Sequence, residues 1–265
     1  MRATPVVLPV ALAVLMVFGA GAKFLAPPEQ SVRAPNPNPP PPPVLVATET
    51  FNGKFQLRWK PVRPDEDHVS WTKNRGALTI TTQRGTIHGD ETGNKESQAR
   101  NIYLIDNPLP DDADFEIVTC IAGFAPKQQY QQAALILYND DDNYVKWSYE
   151  FSYVNNGSVA LGLIRETKAK PEHDHVAVPE KADEKLWLRL TKRKNSYEYA
   201  SSTDGKEFAV HGEREWGDKG PQRIGILAKN GGLADVPEVD VCFSRFELRS
   251  PPAPRKGPAP DRNQQ

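Results

Sequence analysis

Residues 130–151, YQQAALILYNDDDNYVKWSYEF, constrain the fold more than any other stretch of the chain. Residues 131–138 are apolar on both alternating sets: Ala133, Leu135 and Leu137 on one, Ala134 and Ile136 on the other. A strand that is apolar on both faces lies inside a sheet, with neighbours on both edges and cover on each face. Asn139 and the three aspartates 140–142 then break the run, and such short polar side chains stabilise turns by bonding their own backbone. From Tyr144 to Phe151 the alternation is clean. Val145, Trp147, Tyr149 and Phe151 share one face; Tyr144, Lys146, Ser148 and Glu150 share the other. The first face is core, and the second meets solvent or a ligand.

Period two continues on both sides of this hairpin. Phe55, Leu57 and Trp59 alternate with Gln56 and Arg58, and Val69 and Trp71 flank Ser70. Further strands are expected at 77–82, 102–105, 115–121, 159–165, 186–192, 196–202, 223–229 and 238–248. The clusters Asn155-Asn156-Gly157, Lys194-Asn195, Thr203-Asp204-Gly205 and Asn230-Gly231-Gly232 separate several of them. Many short strands with such punctuation predict an all-β sandwich or barrel. In the last strand Val239, Val241 and Phe243 share one parity, but Phe246 and Leu248 share the other. Burying all five requires an extra residue near Ser244-Arg245, a β-bulge.

The hairpin also carries a resemblance. Asp114-Phe115-Glu116, then Tyr130-Gln131-Gln132-Ala133-Ala134-Leu135, then residues 138–144 (YNDDDNY), and finally Phe243-Ser244-Arg245-Phe246 follow one another in an order found elsewhere. This order resembles the concanavalin A-like lectin/glucanase domain at the C-terminus of family 43 β-xylosidases, and that domain's free-standing bacterial relatives of undefined function. The likeness covers roughly residues 45–249. It implies one antiparallel two-sheet jelly-roll sandwich and supplies no reaction. It also implies that the strands carrying Cys120 and Cys242 run close together, so these two cysteines are either disulfide-bonded or buried free thiols.

The ends differ in composition. Residues 1–26 read as a signal peptide or a retained membrane anchor: Arg2, an apolar run from Val6 to Phe18, then Gly19-Ala20-Gly21-Ala22. Residues 27–44 form a proline-rich linker, with prolines at 27, 28, 35, 37 and 39–43, which polyproline II would hold extended. Residues 250–265 read as a disordered tail. The chain is therefore expected to be exported: secreted, periplasmic or tethered to the cell surface. A net charge of −1 over 265 residues gives no footprint for nucleic acid.

Few motifs carry chemistry. No alternating acid run places two carboxylates in one cleft, as glycoside hydrolysis requires, and no Gly-x-Ser-x-Gly elbow occurs. No catalytic residue is assigned. Asp140 and Asp142 are the candidate ligands for a calcium ion, since carboxylates in a turn offer hard oxygens; the alternative is a solvated turn. His173-Asp174-His175 would present two imidazoles on one face of a strand, but the charged, proline-containing segment 168–185 reads as an exposed loop. Glycan sites combine aromatic platforms with polar side chains. Tyr144, Lys146 and Glu150 share a polar strand face, Trp187 and Arg189 another, and Lys229-Asn230 ends a third strand at a glycine turn. These seven are the candidate glycan-binding residues, if their faces coincide on one concave sheet. Trp59, Trp71, Trp147 and Trp216 are expected in the core or at its rim.

Three function classes follow. One is a non-catalytic carbohydrate-binding module, with a polysaccharide or other glycan as partner. The second is a glycan-active hydrolase or lyase, and the third a structural protein-interaction domain at the cell surface. The resemblance favours the first.

Overall fold

The fold is built outward from the double-sided apolar strand β7 (Gln132–Asp140), which is buried on both faces. It lies inside a seven-stranded sheet whose order is β10 (Lys170–Val176), β9 (Ser158–Thr167), β8 (Asn143–Ser152), β7, β14 (Arg223–Lys229), β5 (Ile102–Asp106) and β2 (Lys60–Val62). A second sheet faces it. Its order is β13 (Ala209–Glu215), β12 (Ser196–Ser202), β11 (Lys185–Arg193), β6 (Phe115–Ala122), β15 (Asp240–Ser250), β4 (Leu78–Thr81) and β3 (Val69–Ser70), with β1 (Val44–Glu49) also paired to β15. These pairings are antiparallel throughout. The computed structural model describes residues 43–88, 98–152, 156–217 and 219–250. The signal or anchor segment, most of the proline-rich linker and nearly all of the tail lie outside them. No helix among the described residues is long and apolar enough to cross a membrane.

The two sheets bury one core between them. Leu135, Leu137, Val145, Trp147, Leu161 and Ile226 come from the β7 sheet, and Ile117, Leu186, Leu188, Tyr199, Phe243 and Phe246 from the other. Each residue enters by strand alternation, which aims every second side chain inward. Trp147 is fully buried, and its indole N–H donates to the Ala200 carbonyl at 2.9 Å, crossing from one sheet to the other. Burying an indole without such a partner would forfeit a hydrogen bond. The register of β15 against β6 shifts between Phe243 and Arg245, where the phase change in the sequence requires an extra residue. At the other end of the same strand pair system, β1 runs antiparallel to β15, with Val44 opposite Ser250.

Two local expectations are corrected, and one left open is decided. Residues 55–59 are not a strand; they belong to a loop gathered around Glu49. That carboxylate is fully buried and accepts from the amides of Phe51, Gln56 and Leu57 and from the Trp59 indole, at 2.7–3.1 Å. The alternating aromatics of this segment pack as a cluster instead: Phe55 lies edge-on to Trp71 at 4.5 Å, and Trp59 edge-on to Phe246 at 5.2 Å. Segment 168–185 is not all loop, because Lys170–Val176 forms the edge strand β10. Its proline and charges are the composition an edge strand tolerates. The cysteines are two buried free thiols. Cys242 stands opposite Ala122, and the bulge places Arg245 opposite Cys120, so the two are diagonal neighbours rather than a facing pair. Diagonal positions lie about 7–8 Å apart, beyond comfortable disulfide reach.

Candidate functional site

The outward face of the β7 sheet holds the densest group of buried ionisable side chains among the described residues. Strand register places them in rows. Lys229, Gln132 and Glu150 form one row; Leu227, Ala134, Ser148, Gly162 and His175 the next. Gly225, Ile136, Lys146, Ile164 and His173 form the third, and Arg223, Tyr138, Tyr144 and Glu166 the fourth. Lys146, Glu150, Glu166 and Lys229 are each no more than 5 % exposed. The half of the face toward β5 is apolar: Ile102, Leu104, Ala134, Ile136 and Leu227 pack under Ile87 and Ala99. One face thus joins an apolar floor to a polar one.

The polar half is tightly arranged. Glu150 accepts from the Ser148 hydroxyl at 2.6 Å and lies 3.2 Å from His175 Nε2. Gly162 gives the carboxylate room: a Cβ there would stand a tight 3.1 Å from Glu150 Oε1. Burial pushes the Glu150 carboxyl up, but the His175 hydrogen bond, the Lys146 charge and the Ser148 hydroxyl together hold it below its ordinary value. Tyr144 donates to Glu166 at 3.1 Å, and burial, then the Glu166 charge, keep its phenol protonated far into the alkaline range. Lys146 donates to Gln132 Oε1 at 2.6 Å, and Lys229 to the Asn230 carbonyl at 2.9 Å. Burial lowers both ammonium pKa values; at Lys229 the Lys146 charge adds to it and the fall is large. The two imidazoles of β10 stack at 6.0 Å, and His173 is the exposed member.

Of the seven candidate residues, Tyr144, Lys146, Glu150 and Lys229 come together here; Asn230 offers Lys229 only its backbone carbonyl, while its side chain donates to the carbonyls of Val236 and Pro237. Trp187 and Arg189 do not. They sit on β11, which pairs with β6 and β12, and they face outward from the opposite sheet. There the Trp187 ring lies over Gly205, where a Cβ would come within 2.5 Å of it. Arg189 belongs to a surface ion lattice with Glu116 and Glu198. The condition that the faces coincide on one sheet fails because alternation fixes which way a side chain points but not which sheet its strand joins.

Asp140 turns inward on its own hairpin, accepting from the Asp142 amide and the Asn143 side chain. Asp141 is instead the tie point: Arg63 grips both its oxygens at 2.8 and 3.1 Å, and Tyr138 and Gln98 donate to it. No group of three or more metal-ligating side chains occurs among the described residues. Sequence reasoning missed Gln132, Glu166, His173 and His175 as members of the polar face, and placed Ser148 there without naming it as a candidate. Only the i, i+2 spacing of the histidines pointed to any of the missed four.

Solved structures share this fold. The GH43 protein BlXynB from Bacillus licheniformis aligns with a TM-score of 0.62 at 18 % identity, over 77 % of this chain and 39 % of its own. The xylan β-1,4-xylosidase from Bacillus halodurans C-125 gives 0.59 at 12 % identity, again over 77 % and 39 %. The chain therefore spans well under half the length of these enzymes. A β-glucanase from B. licheniformis gives 0.53 at 12 % identity over 76 % of this chain and 96 % of its own. The architecture is accordingly the concanavalin A-like jelly roll. No curated protein matches the sequence. Residues 65–251, which take in every strand of the polar face except the edge strand β2, match the family described as "Protein of unknown function (DUF1349)", and the chain belongs to that family.

Proposed function

We propose that this protein is an exported, non-catalytic carbohydrate-recognition module that binds glycan on the outward face of the β7 sheet. One observation carries the reading: buried hydrogen-bonding groups on that face have capacity left over. Glu166 Oε1 is buried without a hydrogen-bond partner among the described residues, and each lysine ammonium uses one of its donors. Buried polar atoms are otherwise nearly always satisfied, so such a set suits a ligand rich in hydroxyls. Non-catalytic binding is the better fit because Glu150 and Glu166 are each engaged by neighbouring side chains. Glu150 is hydrogen-bonded to Ser148 and His175, and Glu166 accepts from Tyr144, six residues from Glu150 along the strand.

The test is affinity electrophoresis and calorimetry of the full chain against plant, algal and bacterial polysaccharides. At least one should retard the protein without releasing reducing sugar. Lys146→Met should weaken that binding by about tenfold or more, as losing charged hydrogen bonds does. Trp187→Ala, on the far sheet, should leave it unchanged. Retention of no glycan, or loss of binding with Trp187→Ala alone, would overturn the assignment; release of sugar would make the protein an enzyme.

A further inference from the structure

We infer that the glycan bound on this face is acidic, with a uronate carboxylate seated between Lys146 and Lys229; the inference rests on the carbohydrate reading of the same face. Both side chains are at least 95 % buried, yet neither forms an ion pair among the described residues. Lys146 Nζ has the amide oxygen of Gln132, and Lys229 Nζ a backbone carbonyl. Both acceptors are neutral. Gln132 stands directly beside Lys229 across the β7–β14 ladder, so the oxygen that holds Lys146 draws it toward the second cation.

The carboxylates of the face are committed elsewhere. Glu150 is engaged by Ser148 and His175, and Glu166 by Tyr144, with His88 3.6 Å from its other oxygen. The remaining polar groups near the lysines, Gln132 and Asn230, carry no charge. Two desolvated cations therefore share one neighbourhood with no carboxylate hydrogen-bonded to either; the Glu150 charge favours both from a distance, yet their mutual repulsion adds to the effect of burial at Lys229. A sugar hydroxyl could accept from either ammonium but would leave that repulsion in place. A carboxylate accepts from both and cancels it. Between them the ammonium groups retain four unused N–H donors, enough for both oxygens of one carboxylate.

The test compares polygalacturonate with the same polymer after reduction of its carboxyls to primary alcohols, a pair that differs only in charge. Calorimetry on the full chain at fixed ionic strength should give affinity at least about tenfold higher for the acid form, the range expected for hydrogen bonds to charged groups. Lys146→Met and Lys229→Met, with folding checked by circular dichroism, should each remove that preference. Equal binding of the two polymers by the wild-type chain overturns the acidic assignment and leaves carbohydrate recognition standing. Binding of neither, together with no retention by the wider polysaccharide panel, overturns both. Displacement of polygalacturonate by sodium acetate at matched ionic strength and equal carboxylate concentration would make this a simple anion site and overturn the sugar assignment. The wild-type comparison alone decides the matter if either variant fails to fold.

Discussion

Glu49→Ala is expected to lower the unfolding free energy by about 3–5 kcal/mol, a large share of a typical domain's stability. Four N–H donors converge on that side chain, and no cation pairs with it among the described residues. Alanine leaves the buried amide of Phe51 and the half-buried Leu57 amide and Trp59 indole without their acceptor. It also releases the loop that presses Trp59 onto Phe246. At about 2–4 °C per kcal/mol for a domain of this size, melting should fall by roughly 10 °C or more. Glu49→Gln keeps one oxygen but turns an NH₂ group toward the other donors, so it should fall between wild type and alanine. Calorimetric melting of the three proteins checks the order. A glutamine variant as stable as wild type would show that one acceptor suffices and that the charge is irrelevant.

Lys229→Met is expected to act in the opposite direction, raising stability by about 1–3 kcal/mol at neutral pH, since apolar replacement of a poorly compensated buried charge is often stabilising. Its folded-state pKa lies well below the ordinary 10.5, so the unfolded chain binds the extra proton. Wild-type stability should therefore rise as pH climbs from the folded value toward 10.5, and the methionine variant should lose that part of the rise. Glu150 governs the acid side. Its folded pKa is below the ordinary 4.5, so its contribution is complete above that value and disappears as pH falls through the folded one. Urea denaturation across pH 3–10 (roughly the window these groups define) reads both arms. A destabilised Lys229→Met variant would mean that the amine is a structural tie. A stabilised variant that has also lost ligand would identify a residue kept for binding at the expense of stability.

How far the sequence discloses this molecule depends on what alternation can encode. The double-sided apolar run of β7 and the one-sided run of β8 specify an interior strand beside a half-polar one, and the structure has both. The parity break in β15 specifies the bulge. Alternation also puts Tyr144, Lys146 and Glu150 on one face. It carries no information on which strands become neighbours. For that reason Trp187 and Arg189 fell on the wrong sheet, and Glu166, at the far end of β9, went unseen. His173 and His175 were hidden by the charge and proline of their segment, which suit an edge strand as well as a loop. Glu49 looked like the polar end of a strand because its four partners are local only after the 50–59 loop has folded back.

The pairing of β1 with β15 has a mechanical consequence. Val44 and Ser250, the first and last residues of the sheet, are opposite one another, so the domain begins and ends at one point on its surface. Tension applied through its two flanks does not shear a ladder of many hydrogen bonds at once. It peels β1 from β15 like a zipper, one rung after another, and each rung breaks alone. In single-molecule pulling the domain should yield at low force by this route, whereas attachment through opposite ends of β8 should need much more. A domain hung in this way can be carried between other segments without lengthening their path, and it gives way before it can transmit a strong pull.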